Sequence, residues 1–289
     1  MMREGLAHTL ETDGYVVLED FFTAQEVEEM KNAGDDLTKN IPEDCRSVFS
    51  TINHKDKQSK DKYFIESGDQ IRYFFEEDAL DKDGNLIVDQ SKSLNKVGHA
   101  LHWFHPTFNK HTYSNKIREL FWQLGFKAPA VVQSMYIYKN PGIGSEVVAH
   151  QDATFLKAEP PSALVGIWIA LEDATPETGC LRFAKGSHKS GVHRRYKRTK
   201  NGDDVVLEYD RPAPLYPANN FVECPVKKGT CIVIHGLVVH DSKPNRSTRS
   251  RHAYTFHVLD AQDGVDYSKD NWLQPTERLP FQKLYERND

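Results

Sequence analysis

The sequence of 289 residues lacks any long apolar run. Its longest, ALVGIWIAL at 163–171, has nine residues, whereas a helix that crosses a bilayer needs about 20. An N-terminal signal peptide is also absent, and the final residues, ERND, are no peroxisomal address. We therefore expect a soluble, cytoplasmic protein with no membrane partner.

Paired cysteines and excess positive charge are missing as well. None of the four cysteines, Cys45, Cys180, Cys224 and Cys231, belongs to a C-x-x-C pair, so we expect free thiols in a reducing compartment. Lys and Arg number 37 against 42 Asp and Glu, which leaves a net charge of −5. This balance argues against a nucleic-acid partner, because binding phosphates requires a basic surface.

The N-terminal part of the chain has helical signals around one strand-like run. After YVVLEDFF at 15–22, Thr23 and Glu26 have the spacing of a capping box, which predicts a helix from the next residue onward. Apolar residues at helical spacing over 117–124 predict a further helix that Gly125 closes. No internal repeat or low-complexity segment interrupts the chain.

Beyond these helices the pattern changes to short β-type runs. AVVQSMYIY, EVVAHQDATFL, ALVGIWIALED, GCLRFA, TCIVIHGLVVH and RHAYTFHVL are separated by turn residues, a pattern typical of a β-sandwich or barrel. We predict one α+β domain over 1–289 that is mainly β. It would have a helical N-terminal part at about 1–128, a β-roll core at about 129–262 and a C-terminal extension at 263–289.

Two of these runs have one apolar face and one mixed face. Gly166 and Trp168 share the mixed face of ALVGIWIALED, and Arg251, Thr255 and His257 share that of RHAYTFHVL. A strand of this kind can line a cavity, which makes Trp168 and Arg251 candidates for a pocket. Alternation alone is equally consistent with faces that meet water.

Metal-ligand chemistry is indicated by VVAHQDATFL at 147–156. Its His150 and Asp152 are two positions apart in a strand-like run, so both side chains face the same side. A neutral imidazole and a carboxylate that converge there suit a divalent metal. A second H-x-D, His54 and Asp56, lies in the lysine-rich TINHKDKQSKDKY, and we interpret it as a solvated loop.

TCIVIHGLVVH offers a third ligand, because His235 and His240 each end an apolar run. Two histidines and one carboxylate with open positions form the facial triad of non-haem Fe(II) oxygenases. Either histidine fits the pattern, although the position of His235 is equally consistent with a histidine of the core. Ser242 and Arg251 follow His240 by two and eleven residues and favour it, because both can bind the far carboxylate of an iron-chelating 2-oxo acid.

The sequence resembles the phytanoyl-CoA dioxygenase family from about Leu10 to Tyr285. The motifs that carry the likeness are HQD…H…S…R, DGYVVLEDFFT, NKVGHALH, VVQSMYIYK, LEDATPETGCLRFAKGSH and NWLQPTERLPFQKLY. The resemblance implies a double-stranded β-helix, the cupin-like jelly roll, with N-terminal and flanking helices. It also implies that the protein binds Fe(II) and uses 2-oxoglutarate and dioxygen.

The family pattern implies roles for individual residues. The metal-binding and catalytic residues would be His150, Asp152 and His240. The contacts to 2-oxoglutarate would be Lys96, Met135, His150, Asp152, Trp168, Ser242 and Arg251. Since halogenating relatives lack the metal-binding carboxylate, the presence of Asp152 favours hydroxylation. We therefore expect an oxidoreductase that hydroxylates a C–H bond of a small or acyl metabolite and releases succinate and carbon dioxide.

Two other functions and the primary substrate stay open. The alternatives are a catalytically silent jelly-roll binding module and a zinc hydrolase that uses the same triad, although neither needs Arg251. Substrate contacts are expected from loops at 40–70 and 193–212. The second loop carries five basic residues between Arg194 and Lys200. We interpret it as a solvated lid loop, a site for an anionic substrate, or a nuclear address.

Overall fold

Antiparallel strands dominate the structure, a computed structural model that describes residues 3–51, 59–202 and 204–287. The helices in chain order are α1 (Arg3–Asp13), α2 (Ala24–Lys39), α3 (Lys62–Ile65), α4 (Leu101–Phe104), α5 (Pro106–Thr112) and α6 (Asn115–Leu124). The mainly β, α+β fold predicted from the sequence is confirmed. The H-x-D pair of His54 and Asp56 lies outside the described residues.

The strands form one large sheet and three smaller ones. In chain order they are β1 (Tyr15–Leu18), β2 (Ile71–Phe75), β3 (Leu94–His99), β4 (Pro129–Ile137), β5 (Val147–His150), β6 (Ala158–Glu159), β7 (Leu164–Ala170), β8 (Leu181–Ala184), β9 (Tyr196–Asn201), β10 (Asp204–Tyr209), β11 (Val222–Cys224), β12 (Cys231–His235), β13 (Val239–Ser242), β14 (Ala253–Asp260), β15 (Asp266–Tyr267) and β16 (Gln282–Lys283). The large sheet has the order β1-β12-β7-β14-β4-β3-β2, and β16 also pairs with β4.

A four-stranded sheet of order β11-β8-β13-β5 makes the other wall of the jelly roll. One cavity is lined by β7 and β14 of the large sheet and by β5 and β13 of this smaller sheet. β5 is short and pairs with β13, and its last residue, His150, lines the cavity. The N-terminal part of the chain contributes β1, β2 and β3 to the large sheet in addition to its helices.

The two faces of the large sheet have the characters that the sequence alternation predicts. Ile167 of β7 and Phe256 of β14 belong to the apolar core that contains the helix residues Met30 and Phe121. The opposite faces of β7 and β14 line the cavity through Gly166, Trp168, Thr255 and His257. The prediction that mixed faces line a pocket is therefore confirmed for both strands.

The predicted helix boundaries are also confirmed. Thr23 Oγ1 accepts a hydrogen bond from Glu26 N at 3.3 Å, and Thr23 N donates to Glu26 Oε2 at 2.8 Å. This capping box begins α2 at Ala24. Helix α6 ends at Gly125, whose φ of 87° is accessible to glycine at little cost.

The segment at 193–212 is a β-hairpin rather than the predicted loop. β9 and β10 pair antiparallel from Tyr196 opposite Tyr209 to Asn201 opposite Asp204. A signal was available in Gly202, because glycine is favoured at the first position of a two-residue hairpin loop and Gly202, directly after the last paired residue of β9, has a φ of 64°. The polar segment at 40–70, expected to be a loop, contains the short helix α3.

Membrane helices and disulfides are both absent from the part of the chain that the structure describes. No helix in this part has the length and apolarity that a membrane crossing needs. All four cysteines are buried and unpaired.

A glycine inside α2 brings this helix close to the large sheet. A Cβ added to Gly34 would lie 2.0 Å from Cζ of Tyr136, far inside van der Waals contact. Tyr138 Oη donates to the Gly34 carbonyl oxygen at 2.8 Å. Glycine normally weakens a helix by about 1 kcal/mol relative to alanine, so its position here is explained by the close approach of Tyr136.

Gly34→Ala is expected to lower the free energy of unfolding by about 1–3 kcal/mol, because overpacking outweighs the gain in helix propensity. Urea denaturation followed by circular dichroism measures this change. Asn32→Ala, an exposed substitution on the same helix, is the matched control and should leave stability equal or slightly higher. A more stable Gly34→Ala protein would contradict the contact with Tyr136.

Candidate metal centre and its cavity

Three potential metal ligands converge where β5 and β13 pair. His150 ends β5, Asp152 begins the turn that follows, and His240 lies on β13 directly opposite His150 in the strand register. Asp152 Oδ1 is 3.7 Å from His150 Nε2 and 3.8 Å from His240 Nε2. All three ligand atoms lie within 4.8 Å of one another, so a single ion can contact them together.

Backbone carbonyls orient both imidazoles for ligation. His150 Nδ1 lies 2.9 Å from the Val148 oxygen, and His240 Nδ1 lies 3.1 Å from the Val238 oxygen. Because a carbonyl only accepts, each Nδ1 carries a proton, so Nε2 is the nitrogen that each ring can offer to a metal. Hydrogen bonds of this kind fix the tautomer and ring orientation of metal-binding histidines.

His235 lies away from this group. It ends β12 in the large sheet, its Nδ1 accepts a hydrogen bond from Leu237 N at 3.1 Å, and its ring lies 4.9 Å from that of His188. The chain crosses from the large sheet to the smaller one between His235 and His240. His235 is therefore a structural histidine, and His240 joins the cluster.

The surroundings hold Asp152 and His150 in the protonation states that metal binding requires. Burial alone would raise the pKa of the Asp152 carboxyl, but the neighbouring His257 and His240 outweigh it and keep this pKa below the usual range. Burial, together with His240, lowers the pKa of His150 to about 4. At neutral pH Asp152 is ionised and His150 is neutral, as divalent metal ligands must be.

His257 is a site residue that sequence reasoning did not select. Its Nε2 lies 3.2 Å from Asp152 Oδ2, while its Nδ1 lies 3.2 Å from Gln133 Nε2. His257 thus contacts Oδ2 of Asp152, whereas His150 and His240 lie nearest to Oδ1. The only signal for it was its place on the strand face shared with Arg251, and a lone histidine on a strand has no motif.

Gly166 keeps the space around the carboxylate open. It lies opposite His257 in the register of β7 and β14. A Cβ at this position would lie 3.1 Å from Asp152 Oδ2, which is tighter than ordinary van der Waals contact. A side chain here would therefore press on the carboxylate.

A cavity of about 210 Å³ adjoins the three ligands. Every residue that the family resemblance relates to 2-oxoglutarate lines it: Lys96, Met135, His150, Asp152, Trp168, Ser242 and Arg251. These residues come from β3, β4, β5, β7, β13 and β14 or the segments beside them. The fold thus gathers positions spread over 156 residues of sequence around one space.

Arg251 is a buried cation for which the described part of the chain provides no ion pair. The residue is 1% exposed, and its Nε and Nη1 have no hydrogen-bond partner within the described residues. Its guanidinium carbon lies 5.2 Å from the Trp168 ring. Burial lowers its pKa to about 10, so it stays charged at neutral pH and calls for an anion.

Lys96 is a second cation on the cavity wall. Its Nζ lies 3.3 Å from the centre of the Phe49 ring and 3.8 Å from Met135 Sδ, and burial lowers its pKa to about 7. Ser242 also faces the cavity, but its hydroxyl donates to the Gly179 carbonyl at 3.0 Å. Among the expected co-substrate contacts Arg251 is therefore the fully charged cation at neutral pH, whereas Lys96, with a pKa of about 7, is only partly protonated.

Comparison with known proteins agrees with this architecture. The family model described as phytanoyl-CoA dioxygenase (PhyH) matches residues 10–253. Phytanoyl-CoA dioxygenase domain-containing protein 1 of Bos taurus is 48% identical over 94% of this chain and 95% of its own length. The homolog of Caenorhabditis briggsae is 46% identical over 98% of this chain and 99% of its own.

Solved structures with low sequence identity share the fold. The epimerase SnoN in complex with Fe3+, alpha ketoglutarate and nogalamycin RO superposes with a TM-score of 0.61 at 17% identity and covers 98% of both chains. EctD from S. alaskensis with 2-oxoglutarate and 5-hydroxyectoine gives a TM-score of 0.57 at 18% identity over 88% of this chain and 74% of that one. The match of the family model over most of the chain, together with the highly similar relatives, shows that this protein belongs to the phytanoyl-CoA dioxygenase family.

Proposed function

We propose that the protein is an Fe(II)- and 2-oxoglutarate-dependent dioxygenase that hydroxylates a C–H bond of a small or acyl metabolite. The observation that carries this proposal is the presence of a buried, unpartnered Arg251 in the same cavity as His150, Asp152 and His240. A metal site alone does not need such a cation. A metal that is chelated by a dicarboxylate does, because the far carboxylate must be neutralised.

The donor set suits ferrous iron with open positions. Two imidazole nitrogens and one carboxylate oxygen converge on one point, and within the described residues these three make up the metal-binding group. A 2-His-1-carboxylate set is the ligand set of non-haem Fe(II) oxygenases. A structural zinc site would instead be closed by four protein ligands. We assign His150, Asp152 and His240 as the iron ligands and the catalytic residues.

The cavity residues suit 2-oxoglutarate as co-substrate. Arg251 would hold its far carboxylate through the free Nε and Nη1, and Lys96 adds positive charge on the same cavity wall. Trp168 and Met135 would bound its carbon chain, and Ser242 would reach the same carboxylate if its hydroxyl turned from Gly179.

The residues of this chain would bind iron and 2-oxoglutarate, orient them, and shield the reacting group from water. Iron with bound 2-oxoglutarate would supply the oxidising power, with succinate and carbon dioxide as the products of the co-substrate. Asp152 is held by His257 so that its other oxygen faces the imidazoles. Phe49, Phe155 and Trp272 line the cavity with apolar surface and limit the access of water to the reacting group.

His150→Ala and Asp152→Ala should each lower Fe(II) binding and 2-oxoglutarate-dependent succinate release at least 100-fold, because an open three-ligand site does not survive the loss of a donor. Metal analysis after anaerobic loading and chromatography of succinate measure the two quantities. His235→Ala is the matched control, since it removes a histidine of the same region that lies outside the site.

Three results would contradict this assignment. Normal 2-oxoglutarate decarboxylation by His150→Ala would remove the triad from the reaction. A wild-type protein that binds iron and 2-oxoglutarate without releasing succinate would be a silent binding module. Selective retention of zinc with hydrolytic activity would identify a hydrolase.

Arg251→Ala should raise the dissociation constant of 2-oxoglutarate by about 10- to 100-fold, because one charge-assisted contact is worth about 1.5–3 kcal/mol. Iron binding should change little. Anaerobic calorimetric titration of the Fe(II) protein with 2-oxoglutarate measures the effect, and exposed Arg249→Ala is the control. An unchanged dissociation constant in Arg251→Ala would exclude this role.

Lys96→Met should increase the free energy of unfolding at pH 7 by on the order of 1–3 kcal/mol, while weakening 2-oxoglutarate binding. Because the pKa of Lys96 falls to about 7 in the folded protein, the unfolded chain binds more protons between pH 7 and about 10.4, the usual lysine value. The stability penalty of Lys96 is therefore complete below pH 7 and fades as pH rises toward that value.

Urea denaturation at pH 7.0 and 9.5 measures this difference, and the gain from Lys96→Met should be smaller at the higher pH. Exposed Lys92→Met serves as the control and should show no such trend. A Lys96→Met protein that is less stable than wild type at pH 7 would show that the ammonium is paired and charged in the folded state.

A further inference from the structure

Arg194 is another buried cation on the cavity wall, outside the expected iron and 2-oxoglutarate contacts. It precedes β9, is 7% exposed and lines the same cavity as the metal ligands. Its guanidinium carbon lies 3.9 Å above the Tyr209 ring. Within the residues described, no ion pair or hydrogen bond of its side chain is found.

Two of the other three arginines of this segment have counter-ions, and the third, Arg198, whose Nε has no hydrogen-bond partner within the described residues, does not line the cavity. Arg195 Nη2 donates to Asp270 Oδ1 at 2.7 Å and to Asn271 Oδ1 at 2.9 Å. Arg211 is exposed and pairs with Asp210 at 3.0 Å. Arg194 thus differs from both in being buried, unpaired within the described chain and turned to the cavity.

A row of aromatic rings joins Arg194 to the metal centre. The ring of His150 lies 5.9 Å from Phe155, which lies 5.9 Å from Tyr196, and Tyr196 lies 4.6 Å from Tyr209. Arg194 stacks on the last ring. All of these residues line the cavity, so an apolar surface runs from a metal ligand to a fixed positive charge.

The stacking prepares Arg194 for an anion. A guanidinium that lies on an aromatic face keeps its N–H groups free at its edge, where they can bind a carboxylate or phosphate with two parallel hydrogen bonds. Arg251 has a different aromatic neighbour, Trp168. The cavity therefore offers separate cationic positions to two different anions.

We propose that Arg194 binds the anionic group of the primary substrate, and that Phe155, Tyr196 and Tyr209 bind its apolar body. The substrate class is a small amphipathic anion with a carboxylate or phosphate at one end and hydrocarbon between that end and the oxidised carbon. This assignment rests on the proposed function, because it places the C–H bond beside His150. The charged head sets which substrate binds, and the aromatic row sets the distance from head to oxidised carbon.

The test uses three probes that share one alkyl chain: octanoate, octyl phosphate and 1-octanol. Each is titrated calorimetrically into the anaerobic Fe(II) protein with saturating 2-oxoglutarate. At least one anion should bind about tenfold or more tightly than 1-octanol, since the guanidinium contact is charge-assisted. The ranking of octanoate and octyl phosphate distinguishes a carboxylate head from a phosphate head.

Arg194→Gln should weaken binding of the preferred anion by about tenfold or more and bring it close to that of 1-octanol. Arg194→Lys keeps the charge and loses the planar fork, so an intermediate affinity is expected. Arg211→Gln, in the same segment but exposed, should bind the anion as wild type does. Thermal melting of each variant confirms that it is folded.

Four results would overturn the proposal. These are failure of all three probes to bind wild type, equal binding of 1-octanol and the anions, unchanged anion binding in Arg194→Gln, and a tenfold weaker 2-oxoglutarate affinity in Arg194→Gln. The last would assign Arg194 to the co-substrate. Failure of the proposed function is a separate result. It would appear as normal succinate release by His150→Ala and an unchanged 2-oxoglutarate dissociation constant in Arg251→Ala, whatever the affinity of Arg194→Gln for the anions.

Discussion

The site depends on one ionised carboxylate kept between two sheets. Asp152 is buried, yet its pKa stays below the usual range because His257, His240 and His150 surround it. Each of its oxygens has a separate environment: Oδ1 faces His150 and His240, and Oδ2 faces His257. The strands β5, β13 and β14 therefore each place one histidine beside the Asp152 carboxylate. An uncompensated carboxylate in this position would cost several kcal/mol.

Cationic side chains also line the cavity, together with the acidic residues Glu76 and Asp241. Lys96, Arg194 and Arg251 line it although the whole chain carries a net charge of −5. Aromatic faces accompany each of them: Phe49 lies beside Lys96, Tyr209 beside Arg194 and Trp168 beside Arg251. Cation–π contacts recover only part of the desolvation cost, so the arrangement destabilises the protein while it makes a strong site for anions. Such an exchange of stability for binding is common at functional sites.

Much of the fold could be predicted because its signals are local. The capping box of Thr23 and Glu26 depends on two residues and their backbone, and the faces of β7 and β14 follow from alternation alone. The hairpin at 193–212 was missed although Gly202 is a typical residue for a hairpin loop, because the density of charge suggested a solvated loop. Burial of Arg194 shows that a basic segment is not necessarily a surface.

The sequence by itself determined the pair His150 and Asp152, the fold class and the positions to which a family pattern could be matched. Which histidine completes the cluster was settled in the fold, since β12 places His235 in the large sheet and β13 places His240 opposite His150. The contact of His257 with Asp152 depends on tertiary structure alone, because His257 belongs to no motif and Asp152 is distant in sequence. For the basic segment at 193–212, only the fold shows that Arg194 is the arginine that lines the cavity. Local patterns specify which way a side chain points from its own strand, whereas its neighbours across a cavity are decided by how the sheets pack.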